Sequence, residues 1–202
     1  MFVNLPKSSA TNWIDTINKE GGKRLPKFIS ESTRKSLLAE LHHRNFAEQP
    51  KVYGKQSVSQ SFSASTDFPV DSIFVELARI AGERISRWFC ESRQNIFVLP
   101  LNFTDLVIQS YPQGNGGIGV HRDGKSFINL IAVLVIEGEG NFSFCDDRDG
   151  SNPRHIQNEP GDLILMRGVG FCGSDHQPFH FVDGIRSQRT TFGMRQKAIV
   201  ES

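Results

Sequence analysis

The chain has 202 residues, of which 38% are hydrophobic and 22% charged, and a formal net charge of +1. That length holds one domain with a sizeable core, and the balance of apolar to charged residues excludes a disordered chain. No apolar run approaches the roughly 18 residues that a membrane span needs, so a membrane partner is not expected. The N-terminal stretch MFVNLPKSSATNW has no charged region followed by an apolar one, the pattern of a secretory signal. Three cysteines, Cys90, Cys145 and Cys172, are odd in number and widely spaced. They argue against a disulfide framework or a Cys-rich zinc site, and point to the cytoplasm or another reducing compartment. Charge is uneven along the chain: residues 1–60 hold ten Lys and Arg against five Asp and Glu. Such a basic third can face a polyanion, although a solvated surface has the same composition.

Taken in chain order, residues 30–46 open on cap-type residues and carry Leu37, Leu38 and Leu41 on one face, which predicts a helix. Residues 50–69, rich in Ser, Gln and Lys, read as a loop or irregular hairpin. Residues 71–89 predict a stronger helix behind an Asp71 cap, because Phe74, Leu77, Ala81, Ile85 and Trp88 form one apolar stripe. From residue 95 the pattern changes. The runs IFVLP, DLVIQSY, INLIAVLVIE, NFSFC, DLILMR, FHFV and RTTFGMR alternate with Gly, Asn, Asp and Pro clusters, the rhythm of a sandwich or closed barrel. A single domain over residues 1–202 is expected. Residues 1–94 would form a helical support and candidate substrate lid, and residues 95–202 the β core.

His121-Arg122-Asp123 is a His-x-Asp pair. On an extended segment residues i and i+2 face the same side, so the imidazole and carboxylate can converge on one ion. A facial triad needs one more ligand, usually a distant His, and leaves positions open for cosubstrate and dioxygen. His180, in the alternating run FHFV, is the candidate. His176 competes from GSDHQPFHF but stands in the composition of a loop, near Pro178, whereas ligands favour rigid scaffold. Nine residues after His180 comes Arg189, and six further on Arg195. A keto-acid cosubstrate chelating iron needs a cation for its far carboxylate, and the planar bidentate fork of Arg suits it. Arg186 is a third candidate, but on an alternating strand it would face away from Arg189.

These residues resemble the 2-oxoglutarate dioxygenase superfamily and, within it, the AlkB-like nucleic-acid demethylases, over roughly residues 106–196. IQSYPQGNGGIGVHRD resembles the family's polar-x-Tyr, Gly-containing loop and His-x-Asp. LIAVLVIEGEGNFSF and EPGDLILMRG resemble its following barrel strands, and RTTFGMR its closing R-x-N-x-T-x-R. The resemblance implies Fe(II), 2-oxoglutarate and dioxygen as cofactor and cosubstrates, with iron on His121, Asp123 and His180. It also implies cosubstrate contacts from Gln109, Tyr111, Arg189 and Arg195. Thr191 stands in place of the ending's Asn, Gln109 replaces an Asn, and the loop from Tyr to His is one residue longer. Prolyl-hydroxylase-like members share the Tyr loop, the His-x-Asp and a His with an Arg nine residues on.

A double-stranded β-helix (jelly roll) is therefore expected, with the two helices packed outside its larger sheet. The expected activity is hydroxylation or oxidative demethylation of a nucleobase or nucleic acid, with succinate and CO2 as coproducts. The alternatives are a prolyl-hydroxylase-like oxygenase of an amino acid, peptide or small metabolite, and a jelly-roll binding protein without turnover. For nucleic acid, Tyr53, Phe62 and Phe68 would be clamp aromatics, although an aromatic in a loop is more often a core plug, and Lys23, Arg24 and Lys27 would be a phosphate-facing patch. Other motifs carry less. His155 and the pair His42-His43 have no partners in sequence. The Asp146–Gly150 run lacks the distal Glu and helix of a calcium loop. Gly114, Gly116, Gly117 and Gly119 precede no helix, so they suit close backbone approach rather than a phosphate cradle.

Overall fold

The computed structural model describes residues 3–54, 57–114 and 116–198. Met1 and Phe2 of the N-terminal stretch and Asn115 of the Gly-rich loop lie outside the described residues. Three helices precede the β core: α1 (Thr11–Glu20), α2 (Glu31–Leu41) and α3 (Ile73–Ser92). The strands are β1 (Gly22–Leu25), β2 (Ala47–Glu48), β3 (Val52–Tyr53), β4 (Val58–Ser59), β5 (Ser63–Ser65), β6 (Asp105–Tyr111) and β7 (Ile118–His121). They continue with β8 (Phe127–Glu137), β9 (Asn141–Cys145), β10 (Arg154–Ile156), β11 (Leu163–Arg167), β12 (Phe179–Asp183) and β13 (Arg189–Lys197). Among the described residues a seven-stranded sheet runs β1-β11-β8-β13-β6-β5-β2 and a four-stranded sheet β10-β9-β12-β7, and neighbouring strands pair antiparallel. This is the jelly-roll architecture. A hairpin of β3 and β4 follows the edge of the small sheet, where Gln60 bridges to Ile118 on β7.

Two apolar layers result from the strand alternation. On one face of the large sheet Leu130, Leu134, Leu163, Leu165 and Phe192 pack against the helices, meeting Phe74, Leu77, Ile85 and Phe89 of α3. On its other face Ile131, Ile164 and Met166 meet Phe142, Phe144 and Val182 of the small sheet. The helices thus cover the larger sheet, as expected. The expected stripe on α3 is buried throughout, but the helix is capped by Ser72, whose hydroxyl accepts from the Phe74 amide at 3.1 Å, rather than by Asp71. Helix α2 is capped by Ser30 and stops at Leu41, short of residue 46, where His42, His43 and Arg44 leave the apolar periodicity.

Two expectations need correction. First, three helices rather than two support the sheet. The sequence TNWIDTINKE of α1 buries only Ile14 and Ile17, too few apolar residues to show a stripe. Gly21 ends it at φ 95°, and a side chain there would meet Pro178 at 2.5 Å. Second, IFVLP (residues 96–100) is not a strand. Its backbone is satisfied by the side chain of Asn129, which accepts from the Val98 amide and donates to the Leu99 carbonyl, both at 2.9 Å. Those bonds replace a strand ladder.

The basic N-terminal residues also have structural partners. Arg24 Nε meets the buried carboxylate of Asp162 at 2.6 Å, and the same carboxylate accepts from the Lys27 and Glu159 amides. Lys23 lies over the Trp13 ring at 4.6 Å. All three basic residues sit on or beside β1, an edge strand at the opposite end of the large sheet from β6, β5 and β2. Arg24→Gln is expected to cost about 2 kcal/mol, discounted from a fully buried pair because Arg24 is partly exposed. Urea denaturation checks this, and an unchanged midpoint would show that Asp162 does not depend on Arg24.

Candidate active site

The space between the two sheets is a cavity of about 820 Å³, whose lining includes Tyr53 and Val58 of the β3–β4 hairpin. Its walls follow from strand alternation. On β13, Arg189, Thr191, Gly193 and Arg195 face inward, and on β6 Val107, Gln109 and Tyr111 do the same. The cross-strand register opposes Arg189 to Tyr111, Thr191 to Gln109, and Arg195 to Asp105.

On the small sheet His121, the last residue of β7, pairs in register with His180 of β12. Their ring centroids are 4.2 Å apart. Asp123 lies just past the end of β7, with Oδ2 3.5 Å from His180 Nε2. His121 Nδ1 donates to the Gly119 carbonyl at 2.8 Å, and His180 Nδ1 to the Pro178 carbonyl at 3.3 Å. Those bonds fix the tautomer that leaves each Nε2 unprotonated, as a metal-ligating imidazole requires. Burial, reinforced by His121 and opposed by Asp123, pushes the His180 pKa down to about 4, so this ring is neutral at pH 7. Among the described residues no three His, Cys, Asp or Glu side chains already form a closed metal-ligating group. The three are adjacent, and closing them on an ion requires side-chain adjustment. The donor set of two imidazoles and one carboxylate fits iron in its divalent state.

At the other end of the cavity Arg189 is fully buried. Its Nη2 donates to Asn158 Oδ1 at 2.8 Å, whereas among the described residues Nε and Nη1 have no hydrogen-bond partner. Burial lowers its pKa to about 10, which still leaves it charged at neutral pH. Tyr111 beside it is buried, and desolvation raises the pKa of its hydroxyl. The Thr191 hydroxyl, also buried and without a partner, faces the same space. A buried cation with two unused donors fits the far carboxylate of a keto acid. Arg195 is placed differently. It lies at the metal end, 2.5 Å from Asp105 and 3.9 Å from the second oxygen of Asp123.

The remaining candidates separate cleanly. His176 is exposed on the loop before β12, outside the large cavity, where its carbonyl accepts from Arg167 Nε at 2.6 Å. Arg186 is exposed and paired with Glu139 at 3.1 Å. Phe62 packs on Tyr111 with centroids 5.2 Å apart, and Tyr53 lies at the cavity mouth, 66% exposed. Phe68 is instead a core residue against Phe74 and Phe192 on the helix side of the large sheet, which corrects its placement as a clamp aromatic. Asn158 was not visible in the sequence. It lies in the connection between β10 and β11, and its hydrogen bond to Arg189 reveals it.

No family model and no curated protein matches the sequence. Solved structures do match in three dimensions. A Pseudomonas putida prolyl-4-hydroxylase superposes with a TM-score of 0.66 at 15% identity, covering 93% of this chain and 98% of its own. The chain has the fold of the 2-oxoglutarate–Fe(II) oxygenases. An oxidoreductase of the 2OG-Fe(II) oxygenase family from Burkholderia pseudomallei gives a TM-score of 0.61 at 13% identity, covering 96% and 94%. OsALKBH1 gives 0.59 at 14% identity, covering 87% and 98%.

The depressed His180 pKa makes stability of the metal-free protein pH-dependent. Below its ordinary value of 6.5 the unfolded imidazole takes up a proton that the folded one refuses until about pH 4. Stability should therefore be full above pH 6.5 and fall by about 3 kcal/mol as pH drops through that window. Denaturation of the metal-free protein across pH 4–7 checks this, and His180→Gln should flatten the profile.

Proposed function

We propose that the chain is an Fe(II)- and 2-oxoglutarate-dependent dioxygenase that hydroxylates a peptide, amino acid or small metabolite. The observation that carries this reading is Arg189, a buried guanidinium with two unpaired donors, in one cavity with His121, Asp123 and His180. A buried cation without a carboxylate partner is costly unless an anion completes it.

In this reading His121, Asp123 and His180 hold the iron. Arg189 takes the far carboxylate of 2-oxoglutarate, with Tyr111 and Thr191 as hydroxyl donors and Gln109 beside them. When bound, iron and 2-oxoglutarate supply the oxidising power drawn from dioxygen, with succinate and CO2 as coproducts. The protein's own part is positioning and exclusion of water. Asn158 holds one arm of Arg189, and its amide, donating to the Ile156 carbonyl at 2.8 Å, keeps its oxygen turned toward the guanidinium. Phe142 stacks near the His180 ring and shields it. Arg195 neutralises the carboxylates of Asp105 and Asp123 rather than serving as the main cosubstrate cation.

The preference for a hydroxylase over a nucleobase demethylase rests on particular residues. Arg24 is engaged by Asp162 at the distant edge strand, so the patch of Lys23, Arg24 and Lys27 does not flank the cavity. Phe68 is in the core. Besides Thr191, Gly193 departs from the AlkB-like ending, standing where that pattern has Thr. The prolyl-4-hydroxylase likeness is compatible with the His-to-Arg spacing of nine.

The test is formation of succinate from 2-oxoglutarate by iron-loaded protein, with or without a primary substrate. His121→Ala and Asp123→Ala should abolish binding of Fe(II) or Mn(II), and His180→Ala should eliminate turnover while His176→Ala leaves metal binding intact. Arg189→Met should raise the KM for 2-oxoglutarate roughly 30-fold or more, the equivalent of losing about 2 kcal/mol from a buried charge pair. Arg189→Lys should recover part of it, since a point charge cannot reproduce the fork. An unchanged KM in the Met variant would overturn the assignment of Arg189.

A further inference from the structure

Arg122 lies between two of the proposed ligands yet points away from them. Its guanidinium is stacked over the Phe179 ring, 3.8 Å from the centroid. It borders both the large cavity and an adjoining depression of about 170 Å³ between the end of α1 and strands β9 and β12. Arg167, half-buried at the end of β11, lines the same depression. Among the described residues, neither arginine is ion-paired to a carboxylate.

Arg167 has a structural role that accounts for part of its placement. Its Nη1 donates to the Asn18 carbonyl of α1 and its Nε to the His176 carbonyl, tying the helix end to the loop before β12. Neutral carbonyls engage its Nε and Nη1 but leave its charge uncompensated. Burial and the charge of Arg122 together lower its pKa, so the two cations are close enough to repel. The acids nearby do not relieve this. Asp146 is held by Arg154 at 2.5 Å and by Asn152 at 3.0 Å, and Glu20 is exposed at the rim. Stacking on Phe179 holds the Arg122 fork flat and ordered, which lowers the entropy lost on binding an oxyanion.

We infer that Arg122, seated on Phe179, and Arg167 form an oxyanion subsite at the cavity mouth that takes a carboxylate or phosphate group of the primary substrate. Its role in orienting substrate rests on the oxygenase reading; its capacity to bind an anion does not. An anion bridging the two guanidinium groups would offset their repulsion and place the rest of the substrate toward His121 and Asp123.

The test is a titration of full-length protein with inorganic phosphate and separately with acetate at constant ionic strength. It is followed through the Nε–H resonances of Arg122 and Arg167 in nitrogen–proton correlation spectra. Both resonances should move together and saturate at millimolar anion. The tighter anion identifies the group as phosphate or carboxylate. Arg122→Ala should weaken binding at least tenfold and Arg122→Lys less, while Arg189→Met should leave it unchanged. A linear response matched by chloride, or saturation unaltered in Arg122→Ala, would overturn the inference. So would loss of the saturating phase in Arg189→Met, which would assign the anion to the cosubstrate pocket. His121→Ala separates the two readings, since it should abolish metal binding and leave the anion titration intact.

Discussion

Two cross-strand pairs set the geometry on which the site depends: His180 opposite His121 in the small sheet, and Arg189 opposite Tyr111 in the large one. The chain passes from the first pair to the second within nine residues, leaving β12 and entering β13 on the other sheet. Because side chains alternate, a slip of one residue in either strand would turn its inward set outward. In β13 that set is Arg189, Thr191, Gly193 and Arg195, and the opposite set includes Phe192 and Met194, which fill the helix-side core. The apolar residues that stabilise the sheet therefore also fix which way the polar ones point. Helix α3 contributes through the same strand, since Phe74 packs edge-on against Phe192 at 4.9 Å.

Much of this was legible in the sequence because it is periodic. Strands β6 and β9 coincide with DLVIQSY and NFSFC, and the α3 stripe is continuous at helical spacing. The spacing of His121 to Asp123 survives folding as proximity because the pair is local to one strand end, and that of His180 to Arg189 as a shared cavity because one strand connection joins them. What sequence could not show was non-local and aperiodic. Helix α1 buries two side chains and owes its end to Gly21 passing under Pro178. The run IFVLP has strand composition, but Asn129 takes its hydrogen bonds. The basic residues of the N-terminal third share a sign but not a function: Arg24 answers a carboxylate 138 residues away. Charge counting along a chain does not see such partners.

The two arginines of β13 show why the same residue type can have different roles within one cavity. Both face inward and both line the space between the sheets. Arg195 stands between Asp105 and Asp123, and Lys197 also contacts Asp105, at 2.8 Å. Its charge is therefore already balanced, and a carboxylate ligand brought to it would compete with two that are built in. Among the described residues the Arg189 guanidinium has one hydrogen-bond partner, the Asn158 oxygen, and it lies wholly out of water beside Tyr111. A neutral amide can orient a guanidinium but cannot offset its charge, so a desolvated cation keeps its attraction for any carboxylate that reaches it. The distinction is one of environment, since residue identity, strand and facing direction are shared. It makes the uncompensated end of the cavity the one whose charge fits an incoming acid, and the compensated end a support for the carboxylate of Asp123. The cavity thus presents His180, kept neutral by burial, between one arginine that is satisfied and one that is not.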